Sequence, residues 1–163
     1  MTKPFEGLII TENRLIDAIE EYFINRGFIL NKKAKNTERG IDLELIKNGD
    51  TLYIEAKGSI KNIYDIDSSI DAMQKSSIRD NVKSQINKLM ERENDVKYID
   101  DAFYIAAWPE TPMYREQVNK KTKALFRLGY LHLWVQEDLS VKIEGPDSEK
   151  EKLISLCVKR SEF

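Results

Sequence analysis

Apolar positions along the chain fall into blocks whose spacing changes from one block to the next. Between Thr11 and Arg26 they recur at helical intervals, with Leu15, Ile19, Tyr22 and Phe23 in one stripe and Ile16 and Ala18 on its flanks. This predicts an amphipathic helix, with Thr11 capping its start and Gly27 ending it. At about 100° per residue, Glu20 falls at the edge of the stripe and Glu21 points away from it. Phe28-Ile29-Leu30 then opens a strand that runs into Lys32, Lys33 and Lys35. From Ile41 the period becomes two. Ile41, Leu43 and Leu45 alternate with Asp42 and Glu44, and Leu52, Ile54 and Ala56 alternate with Tyr53, Glu55 and Lys57. Asn48-Gly49 between the two runs is a strong hairpin signal, because both residue types tolerate the positive φ of a tight turn.

Residues 59–77 are polar and without clear period, which reads as a long loop or a loop holding a short helix. Helical spacing returns from Ser77 to about Glu93, through Ile78, Val82, Ile86, Leu89 and Met90. Ala102 to Trp108 is continuously apolar, as a central strand buried on both faces would be. Met113 to Leu128 reads as one further helix, ended by Gly129. Tyr130 to Gln136 is another strand, with Val141 to Glu144 beside it. Asp147 or Ser148 caps a C-terminal helix. The order predicts an α/β fold with a central mixed sheet flanked by helices.

Composition narrows the picture. A chain of 163 residues suits one domain with a real core, here taken as residues 1–163. Lys and Arg total 26 against 28 Asp and Glu, a net charge of −2, which disfavours binding nucleic acid by bulk charge alone. Cys157 is the one cysteine, so no disulfide within the chain and no Cys-rich zinc site is expected. It reads as a small core residue of the last helix. The start, Met1 to Ile10, lacks the apolar core of a secretory signal, and no run approaches the ~20 apolar residues of a membrane helix. A cytoplasmic, reducing setting is expected.

The hairpin carries the chemistry. A two-residue turn at Asn48-Gly49 pairs Lys47 with Asp50, Leu45 with Leu52, Leu43 with Ile54 and Ile41 with Ala56. One face is then wholly apolar, as a half-buried hairpin requires. On the other face Asp42 sits opposite Glu55, and Lys57 shares that face. A three-residue turn would instead place Asp42 opposite Ala56. Facing carboxylates repel. At ~4 Å the cost is about 1 kcal/mol in water and about 4 kcal/mol at an effective dielectric of 20. A divalent cation removes that cost, and Mg²⁺ favours one or two carboxylates together with water and phosphate oxygens. The plain alternative is a solvated polar face.

Gly40-Ile41-Asp42, then twelve residues, then Glu55-Ala56-Lys57, on adjacent strands behind a Glu-bearing helix, resembles the PD-(D/E)xK nuclease superfamily. The restriction-endonuclease-like core of that superfamily is helix, three strands, helix, strand. Residues 11–107 match the order, leaving about 108–163 as a C-terminal α/β extension. The resemblance implies a Mg²⁺-dependent DNA endonuclease, with Mn²⁺ as a substitute. It implies Asp42 and Glu55 as metal ligands, joined by the carbonyl of Ala56. Lys57 would orient the attacking water and stabilise developing charge, and Glu20 would be the helix-borne glutamate that acts through water or a second metal. Ile41 stands where the motif often has proline. Leu89 stands where the RecB-like branch would show tyrosine, and Gly-x-Asp with Glu-x-Lys more closely resembles the Mrr-like and archaeal resolvase-like branches.

DNA is the expected partner, and cutting both strands with one site per chain implies a homodimer. Candidate phosphate contacts are Lys33, Lys35 and Arg39 before the motif strand, and Lys83 and Gln85 on the helix after it. Lys120, Lys121, Lys123 and Arg127 form another basic group. His132 alternates with apolar neighbours and reads as a core residue, with no nucleophile suggested beside it. Trp108 and Trp134 read as core. No glycine-rich phosphate loop is present, so no nucleotide cofactor is expected. A silent nucleic-acid-binding or protein-interaction module on the same fold is the second reading. An unrelated α/β domain with a wet Asp42–Glu55 face is the third.

Overall fold

The computed structural model describes residues 7–34, 41–60, 75–96 and 101–158. The elements run α1 (Glu12–Ile24), β1 (Ile29–Lys33), β2 (Leu43–Lys47), β3 (Asp50–Ala56), α2 (Lys75–Asp95) and β4 (Ala102–Pro109). They continue with α3 (Pro112–Asn119), α4 (Thr122–Arg127), β5 (Leu131–Val135), β6 (Val141–Glu144) and α5 (Asp147–Val158). Six strands form one open mixed sheet in the order of the chain. β1, β2 and β3 are antiparallel neighbours, β3–β4 and β4–β5 are parallel, and β5–β6 is antiparallel.

The parallel pairs demand crossovers, and both crossovers pass over the same face of the sheet. That face carries α2, α3 and α4, packed through Ile78, Val82, Leu89, Met113, Tyr114, Val118 and Leu125 onto Tyr104, Ala106, Trp108 and Trp134. The opposite face carries α1 and α5, packed through Leu15, Ile19, Phe23, Leu153 and Leu156 onto Leu43, Leu45, Leu52, Ile54, Ile105 and Leu133. β4 and β5 lie between both layers and are buried almost throughout.

Local chemistry explains the boundaries. Thr11 caps α1 by accepting a hydrogen bond from the Arg14 N–H at 3.2 Å. Gly27 adopts φ 90°, the left-handed conformation that closes a helix. The hairpin turn holds Asn48 at φ 51° and Gly49 at φ 86°, as a type I′ turn requires. Its register pairs Lys47 with Asp50, Leu45 with Leu52 and Leu43 with Ile54, so the two-residue turn is the one the chain makes.

The single helix expected over Met113 to Leu128 is two helices, separated at Lys120 and Lys121. The Thr122 hydroxyl donates to the Val118 carbonyl at 3.0 Å and the Lys121 N–H donates to the same oxygen at 2.9 Å. These bonds substitute a turn for the helical ladder, a competition that hydroxyl side chains commonly win at helix ends. β1 is an edge strand with all five residues exposed, and its pairing with β2 slips at Asn31. The extra residue is a β-bulge that lets the Asn31 amide reach the Glu44 carboxylate. Cys157 is half-buried on α5. No described helix is long and apolar enough to cross a membrane.

Candidate active site

The antiparallel register of β2 and β3 carries Asp42, the residue before β2, to a position opposite Glu55 near the end of β3. The Ala56 N–H donates to Asp42 Oδ2 at 2.8 Å, which ties the aspartate to the neighbouring strand. Glu55 is 2% exposed. Its Oε2 is buried and has no hydrogen-bond partner among the described residues. Burial, then the Asp42 charge and a hydrogen bond with Asp42, push the Glu55 carboxyl well above the usual carboxylate range, against the pull of Lys88 and Lys57.

Chain segments from four places converge on this strand end. The Lys57 N–H donates to the Ala107 carbonyl at 3.3 Å, and the Gln85 side-chain amide donates to the same oxygen at 3.0 Å. The Gly58 carbonyl accepts from the Tyr114 hydroxyl at 2.6 Å. Gly58 also touches the start of α1: a Cβ there would lie 2.4 Å from the Glu12 nitrogen and 2.7 Å from the Ile10 oxygen. The Ser59 N–H donates to the Ile10 carbonyl at 2.9 Å, and the Ile10 N–H donates to Ser59 Oγ at 2.9 Å.

That close approach delivers Glu12. Its Oε1 lies 3.7 Å from Lys57 Nζ, in a half-buried ion pair. Burial and the Asp42 charge raise the Glu12 carboxyl, while Lys57 and Lys88 lower it. Three carboxylates, Glu12, Asp42 and Glu55, thus face two ammonium groups, Lys57 and Lys88. The described residues hold no cluster of three or more His, Cys, Asp or Glu side chains arranged for a metal. The donors here are the facing carboxylate pair and the peptide oxygens of the strand end, all hard oxygens of the kind Mg²⁺ accepts.

Asp42, Glu55, Ala56 and Lys57 are therefore brought together. Ala56 is buried on the other face of β3 and contributes its N–H to Asp42. Glu20 is placed elsewhere: its Oε2 lies 2.7 Å from Lys33 Nζ, over β1. Eight residues of α1 separate it from Glu12, about 12 Å along the helix axis, so the end of α1 that meets the site carries Glu12 instead. Lys33 is also 2.6 Å from Asp17 and is engaged by α1 on both counts. Lys35 and Arg39 lie outside the described residues. Lys83 is exposed. Gln85 is fully buried and serves the Ala107 carbonyl from beneath α2.

Glu12 and Lys88 are the residues that sequence reasoning missed. The one signal for Glu12 is its place in the first turn behind Thr11, which helix-dipole preference explains equally well. Nothing in the sequence marks Lys88 apart from the other lysines of α2. His132 is 1% exposed and accepts from Trp108 Nε1 at 3.0 Å through Nδ1, a core position away from the acidic group. Trp108 and Trp134 are fully buried. Comparison of the chain with protein-family models, with curated proteins and with solved structures finds no match.

Proposed function

We propose that this chain is a metal-dependent deoxyribonuclease, hydrolysing DNA phosphodiester bonds at Asp42, Glu55 and Lys57 on a restriction-endonuclease-like fold. The observation that carries the reading is Glu55: a buried carboxyl facing Asp42, with an oxygen that no donor among the described residues satisfies. A buried charge of this kind is costly unless something pairs with it. A Mg²⁺ ion held by Asp42, Glu55 and the Ala56 carbonyl fits that donor chemistry, and when bound supplies Lewis acidity and neutralises charge on the phosphoryl oxygens.

The chain's own residues do the rest. The Ala56 N–H holds Asp42 Oδ2 toward Glu55, so the carboxylate pair is ordered before substrate arrives. Lys57 stands at the same strand end, where its ammonium orients the attacking water and stabilises charge that develops on the phosphate. Glu12 holds that ammonium in place. Uncatalysed phosphodiester hydrolysis is slow enough that on the order of 20 kcal/mol of barrier must be removed. Facing carboxylates beside a lysine are the one constellation among the described residues with that capacity. One such site per chain makes a homodimer the proposed active form on duplex DNA.

The second reading, a binding module without turnover, draws on the net charge of −2. A cleavage panel separates the two: supercoiled plasmid, linear duplex, branched DNA and single strands, each with Mg²⁺, Mn²⁺ or EDTA. Metal-dependent cutting that Asp42→Ala, Glu55→Ala and Lys57→Ala each abolish supports the nuclease. Saturable binding with no cutting supports the module. Full cutting by all three variants sinks the site assignment.

A further inference from the structure

We propose that Lys88 is a substrate-positioning residue, the phosphate contact that brings nucleic acid over the Asp42–Glu55 pair from the flank of α2. The inference rests on the nuclease reading above and adds to it the residue that grips the substrate.

α2 lies across β3 and β4, and its two flanks differ. Asn81, Gln85, Lys88 and Arg92 follow one another at intervals of four, three and four residues, so they share one stripe of the helix. Contacts of that stripe converge near β3 and its end. The Asn81 amide donates to the Tyr114 hydroxyl at 3.2 Å, and that hydroxyl donates to the Gly58 carbonyl. Gln85 donates to the carbonyl that also accepts the Lys57 N–H. Arg92 lies 6.0 Å from the centre of the Tyr53 ring. Lys88 stands between Gln85 and Arg92 on this stripe, and is therefore aimed along β3 between Lys57 and Tyr53. Its field acts on both Glu12 and Glu55.

Lys88 is also uncommitted. It is exposed and makes no hydrogen bond or ion pair among the described residues, whereas Lys33 and Lys57 each have a carboxylate partner. A site with three carboxylates repels a polyanion, and a free ammonium at its rim offsets that repulsion where the backbone must approach. Lys83, five residues earlier, points about 140° away around the helix, toward the outer side. It is the matched control, a lysine of the same helix without a view of the site.

The test is a comparison of Lys88→Ala, Lys88→Arg and Lys83→Ala with the wild type, on whichever DNA of the cleavage panel the wild type cuts fastest. Expected for Lys88→Ala is a KM raised about tenfold with kcat held within about threefold, the split of a lost binding contact. Binding of a fluorescein-labelled form of that DNA with Ca²⁺ in place of Mg²⁺ should weaken alike, and its log–log salt slope should fall by about one. Lys88→Arg should restore most of the affinity, and Lys83→Ala should match the wild type. Unchanged KM and salt slope in Lys88→Ala, with wild-type cutting intact, would overturn the role of Lys88 alone. Equal losses in Lys83→Ala would overturn it too, in favour of diffuse charge. No wild-type cutting on any substrate removes the nuclease reading, and this inference with it.

Discussion

Asp42→Asn should make the metal-free protein more stable in alkaline solution, where Glu55 is ionised, while removing cleavage. Asp42 and Glu55 face each other across adjacent strands, and Glu55 is 2% exposed. The substitution preserves shape and keeps an oxygen to accept the Ala56 N–H, so the bond from that N–H to the side chain of residue 42 survives. Above about pH 9, where the Glu55 carboxyl ionises, what disappears is a negative charge beside a second, buried one. At ~4 Å that charge costs about 1 kcal/mol at the dielectric of water and about 4 kcal/mol at an effective value of 20. Lys57 and Lys88 favour the anion and pull the cost toward the lower figure. A net gain of about 1–2 kcal/mol follows. Each kcal/mol moves the midpoint of a chain this size by about 2–4 °C, so a rise of about 2–8 °C is expected in EDTA in alkaline buffer above the Glu55 value of about 9, and a smaller change near neutrality, where Glu55 is protonated. Thermal and urea unfolding can be read from the fluorescence of the buried Trp108 and Trp134. In urea the midpoint should rise at constant m. A midpoint unchanged or lowered in EDTA in that alkaline buffer would show that the pair is not in repulsion in the folded protein. Cutting at the wild-type rate would show that the pair is not the site.

Burial pushes the His132 imidazole down to about 4, against Glu144 and with help from Arg115. The folded state therefore keeps it neutral while the unfolded chain protonates near 6.5, so stability is full above pH 6.5 and falls by about 3 kcal/mol as pH drops toward 4. His132→Gln keeps an acceptor for Trp108 Nε1 and should flatten that part of the urea-derived pH profile; a slope equal to the wild type's speaks against the assignment. Gly58→Ala drives a Cβ into the backbone at Glu12 and Ile10, which should cost about 1–3 kcal/mol. The corresponding drop in melting midpoint, checked by calorimetry, would be absent if that contact were loose. Glu20→Gln should leave cleavage within about twofold of wild type, because Glu20 serves Lys33. Glu12→Gln should lower cleavage about tenfold, the effect of about 1.4 kcal/mol less stabilisation at Lys57. Equal rates in the two variants would reverse the roles given to the two glutamates.

The hairpin was legible because two constraints agree on it. The Asn48-Gly49 turn sets the register, and only that register gathers Leu43, Leu45, Leu52 and Ile54 on one face. Facing of Asp42 and Glu55 then follows without further information. Glu12 was not legible for the opposite reason. Its place depends on how the start of α1 seats against Gly58, a contact between segments more than forty residues apart in the chain. Periodicity describes which side of α1 is buried but not which end meets the sheet's functional edge. Lys83 and Lys88 illustrate the same limit: both are lysines on the exposed side of one helix, and only the docking of α2 over β3 tells them apart. The break at Lys120 and Lys121 goes with two bonds to the Val118 carbonyl, from the Thr122 hydroxyl and the Lys121 N–H, which spacing alone does not reveal.

The slipped pairing of β1 has a bearing on how copies of this chain associate. An edge strand with free N–H and C=O groups invites another sheet to add on, and natural proteins discourage this with bulges and lysines. β1 carries both, the bulge at Asn31 and then Lys32 and Lys33. Two copies brought together along this edge would meet a bent ladder and a concentration of ammonium groups. A continuous twelve-stranded sheet through β1 is thereby disfavoured, despite the exposed Ile29. Any twofold assembly that presents two sites to opposite DNA strands has to be built on another surface, and straightening β1 by deleting Asn31 would be expected to turn a well-behaved chain into one that self-associates edge to edge.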